Sequence, residues 1–148
     1  MVKKMVLTLK TGKNYMIHVC AAVIRLNGRY LVTSRPEGKH LAGKWEFPGG
    51  KLHDNENCAE CLNREIVEEL GISIVVLDKM FSVTHDYPEK TVCLDFFRAV
   101  PEDIKNFKPE GLDGQKIAWL SIEKFSCYDF AEADKPFIKM LTSAPCLI

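Results

Sequence analysis

Residues 17–26 (IHVCAAVIRL) are mostly apolar and predict a strand. Asn27-Gly28 is a turn dipeptide, and 30–34 (YLVTS) resumes as a second strand, so the two form a hairpin. The stretch 35–43 is charged and glycine-bearing and reads as a loop. The period then changes. Ala59, Leu62, Ile66 and Leu70 recur at helical spacing, which predicts a helix over 56–70 with Gly71 as its stop. Residues 72–77 and 80–84 are strand-like with a turn at Asp78-Lys79, and 91–100 is a strand bounded by Pro88 and Pro101. A loop over 109–114 leads to a short strand at 116–120. Ser121 then caps a short helix over 121–125, and 133–142 is a last helix with Pro136 in its first turn. Strands mixed with helices in separate parts of the chain predict an α/β fold with its sheet between helices.

At 148 residues, the chain is expected to be one domain over 1–148. Its 20 basic and 20 acidic residues cancel, which argues against a long nucleic-acid groove and for no stable nucleic-acid partner. No apolar run approaches the ~20 residues of a membrane span. Lys3, Lys4, Lys10 and Lys13 precede no apolar core with a cleavage site, so a cytoplasmic protein without membrane contact is expected. Six cysteines are scattered at Cys20, Cys58, Cys61, Cys93, Cys127 and Cys146. Cys58-x-x-Cys61 lacks a second ligand pair at zinc spacing, and the six read as reduced structural thiols.

The candidate chemistry lies in GKLHDNENCAECLNREIVEELGI, residues 50–72. Glu65, Glu68 and Glu69 share one side of the predicted helix, opposite the apolar stripe. Like charges there repel, and the negative end of the helix dipole adds to the cost. A hard divalent cation with oxygen ligands reverses the sign. Arg64 lies one turn from Glu68 and is placed to orient it through a forked contact. Upstream, Phe47-Pro48-Gly49-Gly50-Lys51 is a turn whose glycines permit close backbone approach, bringing a peptide carbonyl near such a metal.

Reduced to its specified positions, this stretch reads Gx5Ex7REUxEExGU, with U aliphatic. It resembles the Nudix box at every specified position. Seven fixed positions of this kind match by chance on the order of once in 10⁸–10⁹ trials. The likeness extends to RPEGKHLAGKWEFPGGK (residues 35–51) and to FAEADKPFI (residues 130–138), which are similar to the approach and base loop of the MutT-like group. The resemblance implies the α/β/α sandwich with a mixed sheet. It implies hydrolysis of a nucleoside triphosphate to a monophosphate and pyrophosphate by a monomer or homodimer. It also implies Mg²⁺ or Mn²⁺ held by the Gly50 carbonyl, Glu65, Glu68 and Glu69. Glu65 or Glu69 touches the attacking water, Arg64 orients the glutamates, and Glu56 supports the loop–helix unit or reaches an outer metal. A further acid is expected from a late loop. Counting back from Trp119 places Asp113 there, with Glu110 as its rival.

Arg35 is the candidate phosphate clamp, since a guanidinium fork matches phosphate oxygens. Lys51 is a weaker phosphate candidate, and His40 and Glu46 flank the approach to base or phosphates. By resemblance, Ile17 and Val19 wall the base pocket. Asp134 discriminates the base. Ionised, it only accepts hydrogen bonds and suits an amino group, so CTP or dCTP is the expected substrate; protonated by burial, it also donates, which leaves 8-oxo-dGTP as the alternative. Its alternative role is a helix cap ahead of Pro136. Two further readings are a different Nudix substrate class and a non-catalytic nucleotide-sensing module.

Overall fold

The computed structural model describes residues 15–143, so Lys3, Lys4, Lys10, Lys13 and Cys146 lie outside the described residues. Strand β1 (Met16–Leu26) is the spine of the sheet. It turns through Asn27-Gly28, both with positive φ, into β2 (Arg29–Ser34), as the dipeptide predicts. Two short strands follow, β3 (Trp45–Glu46) and β4 (Gly49–Lys51). Helix α1 (Cys58–Leu70) leads to β5 (Ile74–Asp86) and β6 (Thr91–Pro101). A 3₁₀ turn (Ile104–Asn106), strand β7 (Ile117–Leu120), two further 3₁₀ turns (Ile122–Cys127 and Glu132–Asp134) and helix α2 (Lys135–Ser143) complete the order.

The sheet is mixed, with the path β3-β2-β1-β6-β5. β1 pairs antiparallel with β2 and β4 on one edge and parallel with β6 on the other. Both faces of β1 are covered, which explains its continuous apolar run. Ala21 and Val23 face a core with Phe47, Phe96, Phe137 and Leu141, under α2. Cys20, Ala22 and Ile24 face Leu62, Ile66 and Leu70 of α1. Among the described residues no helix is long and apolar enough to cross a membrane.

Four expectations need correction. α1 begins at Cys58, because Asn57 builds a capping box with Glu60; Glu56 therefore precedes the helix. The two strands expected over 72–84 are the single edge strand β5. Asp78-Lys79 sits where its register with β6 slips, so the polar pair marks a bulge on the edge and no turn. Ser121 makes no side-chain cap, and a 3₁₀ turn follows it. The last helix starts at Lys135, after a 3₁₀ turn that carries Asp134.

Candidate active site

Gly49 and Gly50 bring β4 against β1, opposite Ala21 and Cys20. A Cβ built on Gly50 would lie 2.2 Å from the Glu65 carboxyl carbon, so only glycine leaves room for that carboxylate. The Gly50 carbonyl turns toward α1, 3.6 Å from Cys61 Sγ. The glycine pair thus sets a peptide oxygen beside the acids of the helix.

Arg64 binds this corner together. Its Nε and Nη2 donate to Glu56 at 3.1 and 2.7 Å, Nη2 also to the Lys51 carbonyl at 3.1 Å, and Nη1 to Glu65 at 2.9 Å. The fork expected on Glu68 is taken by Glu56. Glu68 has a single 3.6 Å contact with Arg64 and a 59% exposed side chain. Glu56 also accepts from the His53 amide, and Arg64 holds its carboxyl down at about 2. Glu69 is the opposite case. Burial first, then the neighbouring Glu65, push it up to about 8, and Asp113 adds to the rise. The Asp113 amide donates to Gln115 Oε1 at 2.8 Å, which fixes the late loop that carries this acid.

Beyond Gly50 opens a cleft of about 710 Å³ including its mouth. Arg35, His40, Glu46, Gly50, Lys51 and Asp134 all line it, and Ile17 and Val19 form its wall. Asp134 closes the inner end, 4% exposed, accepting from the Phe47 amide at 3.0 Å. That amide takes one carboxylate oxygen, Oδ2, of the residue that directly precedes α2. Burial, then Glu46, raise Asp134 well above the carboxylate range. Glu46 is itself pushed up to about 7 by burial, against the pull of Arg35 at 3.4 Å. Arg35 also donates to the His40 carbonyl. At the mouth stand Tyr87 and Lys90, which sequence reasoning missed. They come from the β5–β6 turn, where Tyr87 and Lys90 bond each other's backbones. The signal was local, a polar DYPEK stretch between two strands, but its aim into the cleft is set by long-range pairing. Burial, then Lys51 and Arg35, lower Lys90, so three cations share one mouth.

A NUDIX domain model matches residues 19–140. The chain belongs to the Nudix family. It is a Nudix hydrolase of the MutT type. It is 40% identical over 82 residues to an 8-oxo-dGTP diphosphatase of Proteus vulgaris, covering 55% of this chain and 73% of that one. It is 33% identical over 124 residues to the CTP pyrophosphohydrolase of Escherichia coli K12, covering 84% and 90%. The MutT protein of Methanosarcina mazei Go1 superposes with a TM-score of 0.76 at 27% identity, covering 88% of this chain and 95% of that one.

Nudix hydrolases act on small nucleotide substrates and are generally divalent-metal dependent. The donors of this Nudix box fit such an ion. They are all oxygen, two carboxylates crowd one another, and the Gly50 cradle keeps the Glu65 carboxylate beside a peptide carbonyl.

The raised acids imply a pH dependence of stability. Glu46 and Glu69 titrate at about 7 and about 8 in the folded chain, above the ordinary 4.5. Between those values the folded state keeps protons that the unfolded chain has released, so stability falls as pH rises. In chelator, Tm is expected to drop as pH goes from about 5 to about 8, and Mg²⁺ to restore more of it at the upper end. A scanning-fluorimetry pH series checks this; a Tm that climbs toward pH 8 in chelator contradicts it.

Proposed function

We propose that this Nudix hydrolase cleaves 8-oxo-dGTP to the monophosphate and pyrophosphate, with the oxidised guanine at Asp134 and the phosphates at the cationic mouth. One observation carries the reading: a single cleft has a buried acid, pushed up by burial and by Glu46, at its closed end and three cations with Gly50 of the Nudix box at its open end. Mg²⁺ or Mn²⁺, held by the Gly50 carbonyl, Glu65, Glu68 and Glu69, supplies Lewis-acid neutralisation of the phosphate charge. Arg64 fixes Glu65 and Glu56. Arg35, Lys51 and Lys90 take phosphate oxygens, Arg35 as a fork and the lysines as point charges. Either Glu65 or Glu69 accepts the proton of the attacking water, and Asp113 is the late-loop acid. His40, edge-on to Tyr87 at 5.4 Å, walls the approach.

A protonated Asp134 donates from one oxygen while the other accepts from Phe47. That arrangement suits a carbonyl on the base, as in 8-oxoguanine. A second reading is CTP or dCTP. Glu46, at about 7, still offers an ionised acceptor for an amino group, and the E. coli CTP pyrophosphohydrolase aligns over most of this chain.

The two readings have opposite pH signs. Once pH is high enough to ionise Asp134 its donor is lost, and kcat/KM for 8-oxo-dGTP relative to CTP is expected to fall about tenfold per unit thereafter. Asp134→Asn, which donates and accepts at any pH, is expected to flatten the ratio. Pyrophosphate release from 8-oxo-dGTP, CTP and dCTP at several pH values reads both. Cytosine nucleotides ahead throughout, with no pH trend, sink the 8-oxo-dGTP reading and favour the second.

A further inference from the structure

The face of β1 toward α1 carries His18 and Cys20, two residues apart and therefore side by side. Cys58 is the first residue of α1 and packs onto the same place. One ligand atom from each of His18, Cys20 and Cys58 lies within 4.8 Å of the others. Sequence spacing hid this set, because the His-x-Cys pair is a strand about 40 residues before the helix that brings the third ligand.

The surroundings are those of a metal ligand set. His18 Nε2 faces Asp95 Oδ2 at 2.8 Å, which leaves Nδ1 for a cation. Asp95 in turn accepts from Ser82 Oγ at 2.5 Å and has Lys79 at 3.8 Å. A carboxylate behind a histidine, itself anchored, is the arrangement that orients and strengthens metal-bound imidazole. Cys58 sits at a helix N-terminus, where backbone N–H groups favour a thiolate. Cys20 is fully buried, whereas His18 and Cys58 are half-buried, which leaves a side by which an ion could enter and a fourth position that solvent could fill. Tetrahedral zinc with thiolate bonds near 2.3 Å needs sulfurs about 3.7 Å apart. Closing from 4.8 Å takes roughly 1 Å of side-chain movement.

The nearby Nudix acids offer only oxygen and suit Mg²⁺; this set offers imidazole and sulfur and suits Zn²⁺. We propose that His18, Cys20 and Cys58 form a second metal site, for Zn²⁺, that staples β1 to the start of α1 with Asp95 orienting His18.

Cobalt(II) reports the site without reference to activity. The reduced, metal-stripped full chain is titrated with Co²⁺ in excess Mg²⁺, which occupies oxygen sites. The expected result is a thiolate-to-cobalt charge-transfer band that saturates at one equivalent and is erased by one equivalent of Zn²⁺. Cys58→Ser is expected to lose the band. Asp95→Asn is expected to keep it but weaken Co²⁺ affinity about 10–100-fold, and it serves as the second test should Cys58→Ser not fold. No band in the wild-type chain, with its thiols titrating as free, overturns the proposal. So does a band of full strength in folded Cys58→Ser, which would place the cobalt on other cysteines.

Discussion

Glu69→Gln is expected to cut kcat/KM by about 10²–10³-fold while raising Tm in chelator at pH 8. The two effects share one cause. Glu69 is pressed against Glu65 in a half-buried corner, and burial together with that neighbour lifts it to about 8. A neutral amide of the same shape removes the repulsion and the desolvation cost, so the metal-free fold gains. It also removes a charged oxygen from the proposed metal site, where stabilisation of phosphate charge through one preorganised group is worth about 3–4 kcal/mol. Steady-state kinetics with Mg²⁺ and melts with chelator test both halves. A variant that is slow and also unstable in chelator would mean that Glu69 holds the fold together and its loss is structural.

Gly50→Ala is expected to lose activity by about 10²-fold or more yet fold, whereas Gly49→Ala is expected to fail at folding. Both glycines lack room, but against different neighbours. The added Cβ at Gly50 meets the end of the Glu65 side chain, which swings aside and leaves its ligand position. At Gly49 it would fall within 2.0 Å of the Cys20 carbonyl oxygen, in a strand that cannot yield because it pairs β6 along its length. Thermal melts and Mg²⁺-dependent kinetics of the two variants separate the cases. Full activity in Gly50→Ala would show that Glu65 does not need the place it occupies.

The acids of α1, its apolar stripe and its glycine stop were legible because they are local: spacing of three and four along a helix needs no partner to be read. The β1–β2 hairpin was legible for the same reason, through Asn27-Gly28. What escaped the sequence depends on distant pairing. β3 and β4 are two and three residues long, too short for a period, and exist because β2 and β1 offer them an edge. β5 looked broken at Asp78-Lys79 because a bulge on an edge tolerates the polar residues that a turn prefers. Glu56 looked helical because it lies near a helical stripe; its partnership with Arg64 folds back across the loop. Lys90 and Tyr87 reach the cleft only through the β5–β6 turn, and His18 meets Cys58 only when sheet and helix pack.

The parallel union of β1 with β6 also sets a schedule for biogenesis. Nine successive positions, from Met16 opposite Thr91 to Ile24 opposite Ala99, join residues 75 apart in the chain. At about 5–20 residues per second, a ribosome needs roughly 4–15 s between making the two partners. Through that interval the most apolar strand of the molecule has one open side, and the whole Nudix helix is made before it closes. Nascent chains stopped before residue 91 are thus expected to display the sticky edge that the finished sheet conceals, the window in which a chaperone would find it.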